Sequence, residues 1–359
     1  MPNLGFMRKL LSAAVLVVSA IVAVESLSSY ALYRYFALHS KELRPAGSAT
    51  LDLLRHAVVK FRGGHQRVLV SSDHMPVFRP DDELGYVMNP GEYTILEEYD
   101  HQKHGFNLRV NEQGHRVTSF LPVNAAHRLF FTGDSSMFGW GLHDEQTVPW
   151  LLQSRLADHE VINLTLNSYS SLHALLQLRH VVPAIGSDDT VILLYHPVTN
   201  GFNVASMSTL EALMTGYELQ LGERAKMLHM KVPYGFLTAK GALETRRIEL
   251  SCVTRREAPD CVRPVSDSAT GMRITQRIFD DILALGAGHI LLARTAGADP
   301  DPVIEHLREL GVAIVDLRPE DDEPDALDIL PTNKHAGPFW QYRTFTRLLA
   351  ALGKARVIQ

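Results

Sequence analysis

A serine stands directly after a short apolar run, in a segment whose residue types suit nucleophilic chemistry. Residues 128–132 read Arg-Leu-Phe-Phe-Thr and are followed by Gly133, Asp134 and Ser135, then by a glycine-rich turn and a helical pattern. Such an arrangement places the Ser135 hydroxyl at the carboxyl edge of a parallel sheet, where open α/β sheets bind their ligands. A serine hydroxyl is a weak nucleophile, so ester cleavage needs a base within hydrogen-bond reach and donors for the oxyanion.

This block resembles the first motif of the SGNH (GDSL-type) hydrolases, in which the serine of Gly-Asp-Ser is the nucleophile. The resemblance implies an α/β fold: a three-layer α/β/α sandwich with a parallel sheet, flavodoxin-like in architecture. It extends to the last motif of the family, because His335 lies just before the final predicted helix, where these hydrolases carry their catalytic histidine. The alternative for His335 is an ordinary loop histidine among the 17 in the chain.

The residue that usually supports this histidine differs here. In the family an aspartate normally stands three residues earlier and fixes the histidine tautomer, whereas this chain has Thr332. Asp328 lies further upstream. The resemblance therefore implies a Ser135–His335 dyad, with Thr332 or a backbone carbonyl orienting the imidazole ring.

The second and third motifs of the family supply oxyanion donors, and both depart from the family pattern in this chain. Ser168 occupies the glycine position of the second motif, so the backbone N–H is retained but a positive φ would be strained. In the third motif Val198 stands where an asparagine side chain is usual. We expect Asn200 to replace it, beside the amides of Ser135 and Ser168, and His196 is another candidate donor.

Other residues near these motifs have plainer expected roles. Asp134 is expected to cap or brace the turn, and Asp144 with Glu145 suits the positive end of the following helix. Three tryptophans could stack on sugar rings, although buried packing is the commoner role for each. They are Trp140, Trp150 and Trp340.

The elements that position these residues are predicted from hydrophobic patterning. From residue 127 onward apolar runs alternate with helical periodicity, which favours βαβ units and a parallel sheet. The predicted strands are 128–132, 161–164, 190–195, 289–293 and 312–316, and the predicted helices lie near 146–157, 171–182, 272–286, 301–310 and 338–353. We assign 126–359 to an SGNH-like domain with an insertion at about 201–270. The insertion forms a lid, an acceptor groove or a helical excursion whose methionines belong to the core.

Residues 38–125 are predicted to form a linker and a small β-containing segment. Strand candidates lie at 68–70, 93–96 and 108–110, with turns at 89–91 and 111–114. The residues around these turns loosely resemble a segment that precedes the hydrolase domain in some bacterial surface-polysaccharide SGNH proteins. The matching positions are 84–86, Pro90, 111–114 and Arg116.

Residues 1–37 are predicted to be a signal anchor, that is, an N-terminal transmembrane helix. Arg8 and Lys9 precede an apolar stretch at 10–33 in which Glu25 is the one charge. About 20 apolar residues span a bilayer, and basic residues on the amino side favour a cytoplasmic amino terminus. We expect a single-pass protein of the bacterial inner membrane with its body in the periplasm or extracellular space. A cleaved signal peptide and a buried core helix are the alternatives.

Composition limits the classes of partner and cofactor. Lys and Arg total 35 against 40 Asp and Glu, with no long single-sign run, so no nucleic-acid partner is expected. No cluster shows metal-ligand spacing, so neither a metal nor an organic cofactor is expected. The two cysteines, Cys252 and Cys261, are expected to form a disulfide in an oxidising compartment, the alternative being two unpaired thiols.

Together these features predict a membrane-anchored extracytoplasmic serine esterase or acyltransferase. Its substrate is expected to be an acylated glycan or lipid, in particular an O-acetyl ester of cell-surface polysaccharide or glycolipid. The alternative is a catalytically inactive SGNH fold that binds glycan or scaffolds an envelope assembly. That alternative is motivated by Thr332, Ser168 and Val198 at family positions.

Overall fold

The fold is seen in a computed structural model, which describes the greater part of the chain after residue 66. The described residues are 67–71, 77–99, 102–120, 125–181, 185–221, 229–255, 261, 268–318, 330 and 335–358. The predicted membrane anchor, Thr332 and Asp328 lie outside them. Among the described residues no helix has both the length and the apolar character to cross a bilayer.

The secondary structure of this part begins with strands and then alternates strands with helices. The strands are β1 (Arg67–Ser71), β2 (Phe78–Asp81), β3 (Gly85–Met88), β4 (Gly91–Tyr99), β5 (Gln102–Val110), β6 (His127–Thr132), β7 (His159–Asn163), β8 (Thr190–Tyr195), β9 (Lys231–Leu237), β10 (Leu243–Glu249), β11 (His289–Arg294) and β12 (Ala313–Asp316). The helices are α1 (Ser135–Phe138), α2 (Val148–Arg155), α3 (Ser171–Val181), α4 (Thr199–Asn203), α5 (Met207–Leu221), α6 (Ser268–Leu283), α7 (Pro302–Glu309) and α8 (Pro338–Lys354). Short 3-10 turns lie at Asp144–Gln146 and Leu250–Val253.

A five-stranded parallel sheet forms the centre, in the order β12-β11-β8-β6-β7. The first strand of this sheet in the sequence is β6. The next strand, β7, pairs with one side of β6, and the one after it, β8, pairs with the other side. This is the 2-1-3-4-5 order of flavodoxin-like doubly wound sheets, whose ligands bind at the point of reversal. The crevice expected of this topology therefore lies between the carboxyl ends of β6 and β8.

Helices cover both faces of the sheet, which makes a three-layer sandwich. Every residue of β8 is buried, as is usual for a parallel strand covered on both sides. Val191, Leu193 and Tyr195 belong to the core beneath α3, α6 and α7, whereas Ile192 and Leu194 belong to the core beneath α2 and α8. The parallel sheet and its flanking helices are confirmed, with element ends displaced by a few residues.

The small β-containing segment shares a core with the sandwich. Strands β1, β4 and β5 form an antiparallel sheet, and β2 pairs with β3 in a hairpin that we did not predict because Pro80 interrupts its pattern. The rings of Phe78 and Phe106 pack on Trp140 at centroid distances of 6.1 and 5.3 Å. Residues 66–359 accordingly form one compact unit.

The insertion contains more strand than its pattern suggested. Besides α4 and α5 it holds the antiparallel pair β9 and β10, which Pro233 and Gly235 concealed in the sequence. Gly235 is required there, because a Cβ would lie 2.6 Å from Cγ2 of Ile274 in α6. A disulfide joins Cys252 to Cys261, with Cα atoms 5.3 Å apart.

The methionines of the insertion pack as core residues where the structure describes them. Met230 is buried, and Met207 and Met214 pack against the core. Met227 lies outside the described residues.

A buried ion pair joins the β-containing segment to the turn that follows Ser135. The Arg116 guanidinium is fully buried; its Nε donates to Asp144 at 2.8 Å, and Nη1 donates to the carbonyls of Phe138 and Gly139 at 2.8 and 2.9 Å. Nη2 donates to the carbonyl of Leu142. Burial lowers the pKa of Arg116 and raises that of Asp144, and the attraction between the two opposes both shifts. One side chain therefore fixes the course of the whole turn.

We expect Arg116→Met to lower the free energy of unfolding by about 3–5 kcal/mol, because the buried Asp144 carboxylate loses its opposite charge and three carbonyls each lose a hydrogen-bond donor. Asp144→Leu in the same chain should recover part of that loss, since the unpaired charge is then gone. Urea unfolding measures both effects. Arg277→Met is the control: its ion pair with Asp281 on α6 is partly exposed, and its loss should cost about 0.5 kcal/mol or less. Equal losses for Arg116→Met and Arg277→Met would contradict the role given to Arg116.

Candidate active site

Ser135 is held at the carboxyl end of the central strand β6 by a tight turn. Gly133 has φ +151°, and a Cβ on it would lie 2.7 Å from Cβ of Leu194 in β8, so no other residue fits. Asp134 caps α1 by accepting a hydrogen bond from the Ser136 amide at 2.9 Å, as its expected bracing role requires. Ser135 is half-buried, and within the described part of the chain its hydroxyl has no hydrogen-bond partner. The hydroxyl is thus available to a substrate.

The loop after β7 runs beside this turn. The Leu166 amide donates to the carbonyl of Gly133 at 3.2 Å, which brings the two loops together. Ser168 has φ +60°, the left-handed backbone that the glycine of the resembled motif would adopt without strain. The backbone N–H groups of Ser135 and Ser168 have no acceptor among the described residues. Two amides from neighbouring loops are therefore free to bind an anion.

The β-containing segment holds the Ser168 loop from the other side. The Tyr86 hydroxyl donates to the carbonyl of Asn167 at 2.5 Å, and the Tyr169 hydroxyl donates to the carbonyl of Tyr86 at 2.6 Å. Both tyrosines are buried, with their rings 5.2 Å apart. The left-handed residue is thus fixed between two anchored neighbours.

His196, at the end of β8, completes the point of sheet reversal. Its Nδ1 accepts a hydrogen bond from the Val198 amide at 3.0 Å, so Nδ1 carries a lone pair and the proton of the neutral ring is on Nε2. Burial lowers the pKa of His196, and the neighbouring Asp134 acts in the opposite direction. Burial likewise raises the pKa of Asp134, opposed by the Ser136 amide and by His196. A neutral N–H donor therefore stands close to the Gly-Asp-Ser turn.

Asn200 is engaged elsewhere. Its side-chain amide donates to the Tyr195 hydroxyl at 3.2 Å, and that hydroxyl lies 3.2 Å from Asp301, which caps α7. Asn200 also lines a cavity of about 680 Å³ together with Asp301 and Met272. The Asn200 amide is therefore directed toward Tyr195 and the cap of α7, because α4 begins at Thr199, directly after the turn at Pro197.

The loop that carries His335 is tied to the nucleophile turn through α8. Gln341, fully buried in the first turns of α8, donates to the Ser136 carbonyl at 2.7 Å and accepts from the Val148 amide at 3.0 Å. His335 is half-buried, and its carbonyl accepts from the Leu330 amide at 2.7 Å. The residue next to Ser135 and the helix that follows His335 are thus directly bonded. Thr332, expected to orient the ring, lies outside the described residues.

Several neighbours have other roles than the sequence suggested. Asp144 lies in a 3-10 turn and pairs with Arg116, so it is not a free charge at a helix end. Trp140 is buried and donates to Glu97 at 2.7 Å, which removes it as a sugar platform. Trp150 packs edge-on against Phe120 at 4.4 Å, and Trp340 is half-buried against the core. No group of three or more potential metal ligands occurs among the residues that the structure describes.

Two residues of the site were missed from sequence. Gln341 has a signal, since it is a polar residue on the buried stripe of α8 that continues with Thr344, Leu348 and Leu352. Arg116 stood in the loosely resembled pattern, but its acceptors lie 22 to 28 residues further along the chain. Such pairing leaves no trace in local periodicity.

Comparison with known proteins gives matches among solved structures. No protein-family model and no curated protein matches the chain. The similar structures include members of the G-D-S-L lipolytic family. One, from Veillonella parvula, has 8% identity and a TM-score of 0.38, and the alignment covers 64% of this chain and 100% of that one.

Two further solved structures have similarly low sequence identities and TM-scores. TesA has 16% identity and a TM-score of 0.36, with 64% of this chain and 99% of that chain covered. A catalytic mutant of Axe2, an acetylxylan esterase from Geobacillus stearothermophilus, has 14% identity and a TM-score of 0.33, with 65% and 97% covered.

We expect Ser168→Gly to raise the free energy of unfolding by roughly 0.5–1 kcal/mol, because glycine adopts the left-handed backbone without the cost that a Cβ brings, less the extra entropy of the unfolded chain. Ser168→Ala is the matched control, since alanine has the same backbone penalty as serine and should give no gain. Urea unfolding of the wild type and the two variants measures these differences in free energy. A gain for alanine as large as that for glycine would show that the backbone of Ser168 is not strained.

Proposed function

We propose that the protein is a serine esterase or acyltransferase that acts on acyl esters, in particular O-acetyl esters, of cell-surface polysaccharide or glycolipid. The observation that carries this proposal is the position of the Ser135 hydroxyl. Ser135 follows β6 at the reversal point of the sheet, the loop of Ser168 is bonded to Gly133, and His196 interacts with the neighbouring Asp134. Acyl transfer needs a nucleophile within reach of several preorganised donors, and this arrangement supplies them.

In the proposed reaction the Ser135 oxygen attacks the ester carbonyl carbon and His335 accepts its proton. The negative charge on the carbonyl oxygen is bound by the amides of Ser135 and Ser168 and by the Nε2–H of His196. The tetrahedral intermediate then expels the sugar oxygen, which takes the proton from His335 and leaves an acyl-serine. Attack on this ester by water gives hydrolysis, and attack by another hydroxyl gives acyl transfer.

His196 takes the donor role in this mechanism that we expected of Asn200. The amide of Asn200 is already bonded to Tyr195, whereas His196 stands beside Asp134 in its Nε2–H tautomer. A neutral imidazole donor does not compete with His335 for the serine proton. The two histidines thus have separate roles, one as base and one as hydrogen-bond donor.

We also propose that residues 10–33 anchor the protein in the bacterial inner membrane with its body in the periplasm or extracellular space. The apolar stretch behind Arg8 and Lys9 supports the anchor. The Cys252–Cys261 disulfide suits an oxidising compartment. Esters of envelope glycans would be within reach of a protein placed in this way.

We expect a fluorophosphonate to label the full chain once, at Ser135, because only an activated serine attacks phosphorus at an appreciable rate. Intact mass measures the adduct. Ser135→Ala should abolish labelling, and His335→Ala should slow it by at least about 100-fold. Ser136→Ala is the matched control, since that residue bonds through its backbone. Labelling that survives Ser135→Ala would refute the assigned nucleophile.

We expect His196→Ala to lower kcat on p-nitrophenyl acetate by about 10²–10³ with little change in KM, the usual effect of losing one oxyanion donor. Asn200→Ala should change kcat by only a few fold. The dependence of kcat on pH shows which histidine is the base. The fall of kcat at low pH should persist in His196→Ala, because His335 is still protonated there. If that fall disappeared with His196 instead, His196 would be the base and the roles would be reversed.

The second candidate is a catalytically inactive fold that binds glycan or scaffolds an envelope assembly. Ser168 and Val198 at the family positions favour it, as does Thr332. In that case no form of the protein would react with the fluorophosphonate, including wild type.

A further inference from the structure

A second cavity, of about 730 Å³, lies beside Tyr169. It is open to solvent and is lined by residues of the β2–β3 hairpin, the turn after β5, the loop after β7 and α3. Tyr169 lines both this cavity and the small pocket around Gly133 and Asp134. None of the groups assigned to the reaction lines it.

The polar wall of this cavity is made mainly of side chains with planar polar groups. They include Asp82, Glu83, Gln113, His115, Gln177 and His180. Amides, carboxylates and imidazoles together offer both donors and acceptors. A ligand rich in hydroxyl groups, each of which donates and accepts, matches such a wall.

Gln177 contributes a buried polar group to the lining of this cavity. Its side chain in α3 is only 8% exposed and lines the cavity, yet its Oε1 has no hydrogen-bond partner among the described residues. A buried polar atom left in this state is costly, so native proteins rarely keep one without a water or ligand to satisfy it. A hydroxyl donor placed in the cavity would satisfy it.

The charges of the wall disfavour an anion. Among the described residues, Arg79 is the only arginine or lysine that lines the cavity, against Asp81, Asp82 and Glu83. Asp81 is bound to backbone amides, and Glu83 pairs with His180. Asp82 is exposed and makes no bond within the described part of the chain. Burial lowers the pKa of His115 to about 4, so that ring adds no positive charge at neutral pH.

The lining also includes apolar side chains, namely Val87, Met88, Leu164 and Leu166, together with Tyr169. A sugar ring has hydroxyl groups around its edge and C–H groups on its faces, so it matches a lining that is partly polar and partly apolar. We propose that this cavity binds an uncharged saccharide and holds a glycan chain while a neighbouring unit reaches Ser135. The proposal rests on the proposed function, because it names the glycan as the part of the substrate held away from the reacting ester.

The test is isothermal titration of the full chain with three uncharged oligosaccharides, cellohexaose, xylohexaose and chitohexaose, and with the anionic hexagalacturonate. We expect at least one neutral hexamer to bind at least 10-fold more tightly than hexagalacturonate. Gln177→Met, which keeps the volume but removes the amide, and Asp82→Ala should each weaken that binding at least 5-fold. Asp188→Ala, an exposed aspartate outside the cavity, is the matched control and should leave it unchanged.

The outcomes distinguish this proposal from the esterase proposal, since binding does not require turnover. Failure of all three neutral hexamers to bind, preference for hexagalacturonate, or unchanged binding in both cavity variants would overturn it while leaving fluorophosphonate labelling intact. Conversely, saccharide binding with no labelling would overturn the esterase and retain the cavity. Asp82→Ala alters an exposed turn, so it remains informative if Gln177→Met fails to fold.

Discussion

The ion pair between Arg116 and Asp144 is the constraint on which the rest of the site depends. A guanidinium without contact with water must find acceptors for its N–H groups, and here they are three carbonyls of the turn after α1 together with one carboxylate. The turn can take no other course without leaving that charge unsatisfied. Since α1 begins at Ser135, the direction of this serine, the proposed nucleophile, depends on a residue that precedes the parallel sheet in the sequence.

The β-containing segment is therefore a structural part of the site. Its Arg116 binds the turn after Ser135, and hydrogen bonds of Tyr86 with Asn167 and Tyr169 hold the Ser168 loop. The same segment forms one wall of the cavity beside Tyr169. A short run of strands thus positions two of the three loops at the carboxyl edge.

The sequence was enough to predict the parallel sheet, because strands such as β8 are buried on both faces and appear as continuous apolar runs. The sequence also predicted that Ser135 lies at the end of β6, because the turn there needs a glycine at position 133 and the capping carboxylate of Asp134. The strand pairs that contain Pro80 or Gly235 were not predicted, because the packing of neighbouring residues there outweighs the low strand propensity of proline and glycine. The direction of the Asn200 amide was equally hidden, as it depends on how the turn after Pro197 closes.

The order of strands gives the site an uneven resistance to local opening. Strand β6, which leads to Ser135, is paired on both sides, whereas β7, which leads to Ser168, is an edge strand paired on one side among the described residues. In terms of hydrogen exchange, the amides of β6 should open only with the whole sheet, while β7 can open by itself. Fraying of that edge would displace the Ser168 amide, the proposed oxyanion donor, and leave Ser135 in place, so the proposed site can be no more stable than its edge strand.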